Sequence, residues 1–347
     1  MHLTGIHHVT AVTADVQANV DFYCGVLGLR LTKVTVNFDD PHSYHLYYGD
    51  SLGRPGTAMT FFGWPGAGRG RHGPPEVFTT AFAVPRGALG YWQKRLGDAG
   101  VAVTGPVDAY GRADAIGFED PDGLRLQLVE TDALDAAIEP FTAVVGPEHA
   151  IRGFHDVSLA VLHRDASARA LVDVFGFVAA PGNADAPLEG AAGVADGVGN
   201  QLDDEPDAED DAPLYLSRPV EPAAAVARVW LLSDLPAGRF GGGVVHHVAF
   251  RCPSDAEQAA WLERITATGW SVSPVMERVY FRSIYVREPG GVLFEIATDG
   301  PGFTADEPAE SLGTTLCLPP WMEKDRAGIE KNLPRLRLPG GAVVGGR

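Results

Sequence analysis

Four copies of one unit make up most of this chain, and no other feature limits its fold as much. They begin near Thr4, Val77, Arg152 and Val244, at spacings of about 73, 75 and 92 residues. The long third interval holds a Pro-, Gly- and Asp-rich segment at 181–213 that has no sustained periodicity and reads as an inserted loop. Unit four shows the common order most fully. Its strand VVHHVAFRC leads through Pro253-Ser254-Asp255, a helix cap, into AEQAAWLERITATG. There Ala260, Trp261, Ile265 and Thr268 share one face, and Gly269 ends the helix. Three strands follow, in WSVSPVMERVYF, SIYVREP and VLFEIATD. Unit two repeats this order, with Pro121-Asp122-Gly123 where unit four turns at Pro289-Gly290-Gly291. Units one and three end their helices differently, in VDFYCGVLGLRL and ALVDVFGFVAA, each with a glycine before the next strand. A βαβββ unit repeated four times gives an α+β chain. In sequence order the units group into an N-terminal half at 1–145 and a C-terminal half at 146–310. In the remainder, 311–347, PPWMEKDRAGIEKNLPRL carries one helix and LPGGAVVGGR reads as a frayed tail.

Differences among the four units point to chemistry. The opening strands of units one and four carry His7-His8 and His246-His247. Unit two has Phe78-Thr79 at the same place, and unit three has His155-Asp156. In the last strand unit four offers Glu295 where unit two has Gln127. Two histidines and one carboxylate hold a divalent metal while leaving coordination positions open. The simplest geometry brings units one and four together around that metal and leaves two and three as a scaffold. Neighbouring residues of a regular strand point to opposite faces, so one histidine of each pair is the ligand. Unit three keeps the first histidine without the site, which favours the second, His8 and His247. His₂-carboxylate sites also hold zinc, so ligand type alone leaves the metal open.

Bulk properties narrow the partners. The formal charge of −18 argues against nucleic acid and against anionic membrane surfaces, where Lys and Arg are needed. Seven of the acids lie together at 202–211. No apolar run is long enough for a membrane span, and MHLTGIHHVT lacks the pattern of a secretion signal. Cys24, Cys252 and Cys317 are widely separated and form no disulfide framework. The expected location is the cytoplasm, with a homo-oligomer left open.

At GIHHVT, at YHLYYGDSLGRPGTAMTFF (44–62), at EHAIRGFHDV (148–157), at VVHHVAF and above all at RVYFRSIYVREPGGVLFEIATDGPGFT (278–304), the chain resembles the vicinal-oxygen-chelate superfamily. That superfamily takes in glyoxalases, bleomycin-resistance proteins and dioxygenases. More narrowly, the chain resembles the ring-cleaving dioxygenases that open hydroquinones and chlorinated hydroquinones. The resemblance implies four βαβββ modules forming two cupped mixed β-sheets with outer helices. It implies an extradiol-type, Fe(II)-dependent dioxygenase acting on an aromatic diol with O₂, the iron held by His8, His247 and Glu295. Mn(II) and Zn(II) are the alternative metals. It further implies roles beside the metal or facing substrate for His7, Thr10, His246, Arg278 and Tyr285. His246 or His7 would take the proton an aromatic diol loses on binding, Tyr285 would bond a substrate oxygen, and Arg278 would stabilise negative charge. Tyr44, Tyr47, Phe61, Phe62 and Trp64 are candidates to line the pocket.

Three rivals differ in what they require. A glyoxalase-like isomerase or lyase calls for a second carboxylate, and unit one's last strand, TAMTFFGW, offers none. A catechol-cleaving enzyme takes its ligands from the C-terminal half, where unit three has Asp156. A protein that only binds aromatic compounds needs no intact metal positions, which units one and four retain.

Overall fold

The structure is a computed structural model describing residues 3–107, 115–179, 214–218 and 227–346. The insertion expected at 181–213, with its acidic stretch, lies outside the described residues. Each module opens with a strand, crosses over through a helix, and returns as a run of strands whose last member lies parallel to the first. In module one these are β1 (Ile6–Thr13), α1 (Val16–Val20), β2 (Arg30–Asn37), β3 (Asp40–Gly49) and β4 (Ala58–Gly63). Module two supplies β5 (Glu76–Pro85), α2 (Leu89–Asp98), β6 (Val103–Val107), β7 (Ala115–Glu119) and β8 (Arg125–Thr131). Module three supplies β9 (Phe154–Ala160), α3 (Arg164–Arg169), β10 (Val178–Ala179), β11 (Leu214–Arg218) and β12 (Ala227–Leu232). Module four supplies β13 (Val245–Cys252), α4 (Asp255–Ala267), β14 (Met276–Glu277), β15 (Arg282–Arg287) and β16 (Leu293–Thr298). The parallel pairs are β1 with β4, β5 with β8, β9 with β12 and β13 with β16.

Local chemistry explains these elements. Ser254 caps α4, its side chain accepting the Glu257 N–H. Trp261 and Ile265 bury one face of that helix, worth about 1.5–3 kcal/mol each. Gly269, at φ 79°, then stops it. The odd helix endings of modules one and three are wide turns, closed by Leu27 N–H to Phe22 O and Phe175 N–H to Ala170 O. Gly28 and Gly176 follow at φ 72° and 73°, a backbone only glycine adopts without strain.

Two eight-stranded sheets result, in the orders β14-β15-β16-β13-β1-β4-β3-β2 and β10-β11-β12-β9-β5-β8-β7-β6. Modules one and four therefore share one sheet, and modules two and three the other. The sequence halves 1–145 and 146–310 are crossed by this pairing, because each sheet takes one module from each half. The tail differs from the expected fraying. After α5 (Arg326–Asn332), Leu336–Arg337 pairs with Val343–Val344 as a small hairpin, and Leu333, Leu336 and Leu338 are buried. Among the described residues no helix is long and apolar enough to cross a membrane.

Where the modules join, β1 runs antiparallel to β13 and β5 antiparallel to β9. Both seams are irregular at equivalent places. On β1 the register passes from Ile6 to His8 while β13 advances one residue, so His7 is an extra residue; on β13 His246 is extra in the same way. On the other seam the extra residues are Phe78 and His155. A bulge of this kind sets two residues against one and suspends the alternation of faces. That is why both members of each histidine pair lie side by side, which a regular strand forbids.

Candidate metal centre

The seam between β1 and β13 places His8 and His247 together, and β16 brings Glu295 beside them. His8 Nε2 lies 3.2 Å from His247 Nε2 and 3.2 Å from Glu295 Oε2, and His247 Nε2 lies 2.9 Å from the same oxygen. All three side chains are buried. Two bonds of ~2.1 Å at right angles span ~3.0 Å, and at the tetrahedral angle ~3.4 Å. The observed triangle falls close to that range, the size at which three donors can share one divalent ion.

The surrounding hydrogen bonds decide what these atoms present. His7 Nε2 lies 3.1 Å from the Thr298 carbonyl, which only accepts, so that nitrogen carries the proton. Burial, then the charge of His8, holds His7 well below the ordinary histidine range, so its Nδ1 is bare. It accepts from His8 Nδ1–H at 2.9 Å, and His8 Nε2 is left as a lone pair facing the triangle. His246 and His247 meet in the same way, Nδ1 to Nδ1 at 2.7 Å, and we assign them the same tautomers. Burial pushes His246 down to about 3 and lowers His247. Glu295 Oε1 accepts from Ser283 Oγ, whereas its fully buried Oε2 has no hydrogen-bond partner among the described residues. Burial pushes the Glu295 carboxyl up, but His8 and His247 beside it hold it well below the usual range. With these tautomers, two imidazole lone pairs and a carboxylate oxygen converge on one point. Such a cluster fits a cation and little else.

The bulged histidines therefore hold the imidazoles of His8 and His247 in place. Replacing His7 by alanine is expected to weaken metal retention by ~10–100-fold while leaving the fold intact, as measured by competition with a chelator.

The cavity over the triad is bordered by Asn37, Phe38, Asp39, His45, Tyr47, Phe62, Arg278, Phe281 and Tyr285 as well as His8 and His247. Arg278 donates from Nε to the Tyr285 hydroxyl at 3.2 Å and reaches Asp39 at 3.3 Å. Val279 follows it at φ 69°, an uncommon conformation for a β-branched residue, in a turn closed by Arg278 N–H to Phe281 O. That turn aims both Arg278 and Phe281 at the cavity. Burial raises the Tyr285 phenol, and Glu295 adds to it, so it stays protonated.

Other expected residues lie elsewhere. Thr10 is fully buried beneath the cavity, bonded to Thr60 Oγ1 at 2.8 Å. Neither His7 nor His246 borders the cavity. Of the candidate aromatics, Tyr47 and Phe62 line it. Tyr44 sends its hydroxyl to Pro334 O, Phe61 packs in the core against Tyr23, and Trp64 stacks on the far side of Phe62. His45 was not anticipated. It sits in the apolar run YHLYY, and only the alignment of modules one and four would have singled it out.

In the scaffold sheet the matching positions are Thr79, Asp156, Gln127 and Trp230. Among the described residues these gather no metal-binding group. Asp306, Glu307 and Cys317 also lie close together, but the Lys33 ammonium already occupies the space between the acids.

A family model for the Glyoxalase/Bleomycin resistance protein/Dioxygenase superfamily matches residues 5–128 and 153–296. MhqO of Bacillus subtilis (strain 168), provisionally named a ring-cleaving dioxygenase, is 40% identical over 329 residues, covering 95% of each chain. The chlorohydroquinone/hydroquinone 1,2-dioxygenase of Sphingobium indicum is 34% identical over 339 residues, again covering 95% of each. A crystal structure of a provisionally named dioxygenase from Bacillus subtilis superposes with a TM-score of 0.81 at 39% identity, over 96% of this chain and 97% of that one.

Proposed function

We infer the activity from one premise: this chain belongs to the Glyoxalase/Bleomycin resistance protein/Dioxygenase superfamily. Within it, the reading we propose is a ring-cleaving dioxygenase that opens a dihydroxylated aromatic, a hydroquinone or substituted hydroquinone, with O₂. Two relatives named for ring cleavage or hydroquinone cleavage, aligned over nearly their whole lengths, support it. The observation that carries it is the buried triangle of His8, His247 and Glu295 with Thr60, not a carboxylate, in the fourth place. Glu295 is paired with Ala249 across β16 and β13, and Thr60 is paired with Thr10, the equivalent residue, across β4 and β1. The second carboxylate that a glyoxalase-type isomerase calls for is therefore missing, and on that side His45 and Tyr47 border the cavity.

We propose that His8, His247 and Glu295 hold Fe(II), a metal that a two-histidine, one-carboxylate set with open positions suits. Iron would supply the electronic link between the aromatic ring and O₂. The chain's own residues do the rest. Phe62 and Phe281 flank the space for a flat ring. Arg278, held by Tyr285, places a cation where a diolate or an acid product carries negative charge. His7 and His246 fix the imidazoles of His8 and His247 through their Nδ1 contacts, and that is the role we propose for them.

The cavity is about 30 Å³, room for little more than a water. At its rim Arg278 pairs with Asp39 at 3.3 Å, the latter with 69% of its side chain exposed.

The test is oxygen uptake by protein loaded anaerobically with Fe(II), over a panel of hydroquinones, chlorinated hydroquinones and catechols. One O₂ consumed per hydroquinone ring opened is the expected result. Uptake with catechols alone would move the reading to the catechol-cleaving branch. Turnover of a methylglyoxal–thiol adduct instead would move it to the isomerases.

A further inference from the structure

Strand register sets two matching walls across the triad. On one, Tyr285 lies opposite Glu295 and Ser283 opposite Ala297. On the other, Tyr47 lies opposite Thr60 and His45 opposite Phe62. With Thr60 in the place of Glu295, Tyr47 and His45 hold the places of Tyr285 and Ser283. The Thr60 hydroxyl is engaged from both sides, by Thr10 Oγ1 at 2.8 Å and His45 Nε2 at 3.0 Å. His45 Nδ1 in turn meets the Tyr47 hydroxyl at 2.8 Å. Four groups thus form one chain. It begins at Thr10, which is fully buried, and ends at Tyr47 and His45 on the open side of the triangle.

Each hydroxyl, and a neutral imidazole, donates once and accepts as well. The chain therefore has two directions. In the first, Tyr47 donates to His45 Nδ1 and offers its lone pairs to the cavity. In the second, Thr10 donates to Thr60, Thr60 to His45 Nε2, and His45 Nδ1–H to Tyr47, whose own O–H turns to the cavity. Only hydrogens on four groups move between them, and none changes charge.

We propose that Tyr47 contacts a hydroxyl oxygen of the bound aromatic diol, and that His45 and Thr60 are positioning residues that set its role. Tyr47 accepts from a diol hydroxyl in the first direction and donates to a diol oxygen in the second, so either orientation of the substrate hydroxyl finds a partner. The proposal rests on the ring-cleavage reading above. It explains why an apolar run carries a histidine with both nitrogens committed to hydroxyl groups.

The test is anaerobic titration of Fe(II)-loaded protein with hydroquinone, followed by protein fluorescence, with metal content measured for every variant. Tyr47→Phe keeps the ring that packs on Phe303 and removes only the hydroxyl. It is expected to weaken hydroquinone by ~3–10-fold with metal content unchanged. Thr60→Val keeps the shape of a residue that the proposal keeps off the substrate. It is expected to cost ~2–5-fold alone and nothing further in the Tyr47→Phe background, because the two act through one chain. Unchanged affinity in Tyr47→Phe, or losses that simply add, would overturn the proposal while ring cleavage stands. Failure of the unaltered, metal-loaded protein to bind hydroquinone would remove the ring-cleavage reading and this proposal together.

Discussion

The His8→Ala variant is expected to fold, to lose its metal on desalting and to cleave no ring. Removing groups that only orient metal ligands costs ~10–100-fold in affinity, so removing one of three donors costs at least ~100-fold. Two effects compound. The remaining donors, His247 Nε2 and Glu295 Oε2, stay 2.9 Å apart but no longer define a face. The vacated volume lies against Phe281, whose ring centroid is 5.1 Å from that of His8, so the cavity wall loosens as well. Metal per chain after anaerobic loading is the direct readout. A second is thermal: a ligand that binds only the native state raises its stability in proportion to the logarithm of its concentration over Kd. Added Fe(II) should therefore raise the unfolding temperature of the unaltered protein and leave that of His8→Ala in place. Iron content equal to that of the unaltered protein would take β1 out of the site, although it lies 239 residues from its partner on β13.

Much of this site was legible before any coordinates, for a reason that lies in duplication. Superimposing four units exposes the positions where they differ, and His8, His247 and Glu295 are such positions. The same comparison found the pairing of modules one and four, because only those two keep both histidines. What it could not supply was register. The alternation rule excluded one histidine of each pair from the ligand set, and the bulges at His7 and His246 then brought the excluded residue back as the partner of its neighbour. A bulge is a relation between two strands, invisible in either one alone. The resemblance gave Thr10 a role beside the metal or facing substrate, and its hydroxyl bonds Thr60 below the cavity. His45 was hidden because in YHLYY it reads as core, whereas its aromatic neighbour Tyr47 was a candidate for the pocket and lines it. The tail misled through its glycines, which close a hairpin where fraying was expected.

The second large effect concerns Lys33, which is fully buried behind the site in β2. Its ammonium pairs with Asp306 Oδ1 at 2.6 Å and with Glu307 Oε2, and lies over the Tyr280 ring, 4.8 Å from the centroid. Asp306 is partly exposed and can return to water, but Glu307 has only 7% of its side chain exposed. Truncating one member of a buried pair leaves the other charge uncompensated, at a cost of about 3–5 kcal/mol. Lys33→Met, which keeps most of the apolar stem, is expected to lose that much in urea unfolding with little change in slope. Changing the partner as well should restore most of it, so Lys33→Met with Glu307→Gln is expected to lie within ~1–2 kcal/mol of the unaltered protein. A Lys33→Met loss that the second change does not reduce would mean that packing, not charge, is what the lysine supplies. The consequence reaches the cavity. The acids follow directly on Phe303–Ala305, where Phe303 packs on both Tyr47 and Tyr280. Releasing them frees the support behind Tyr47, so the single lysine change should also weaken hydroquinone binding, and the double change should restore it in step with stability.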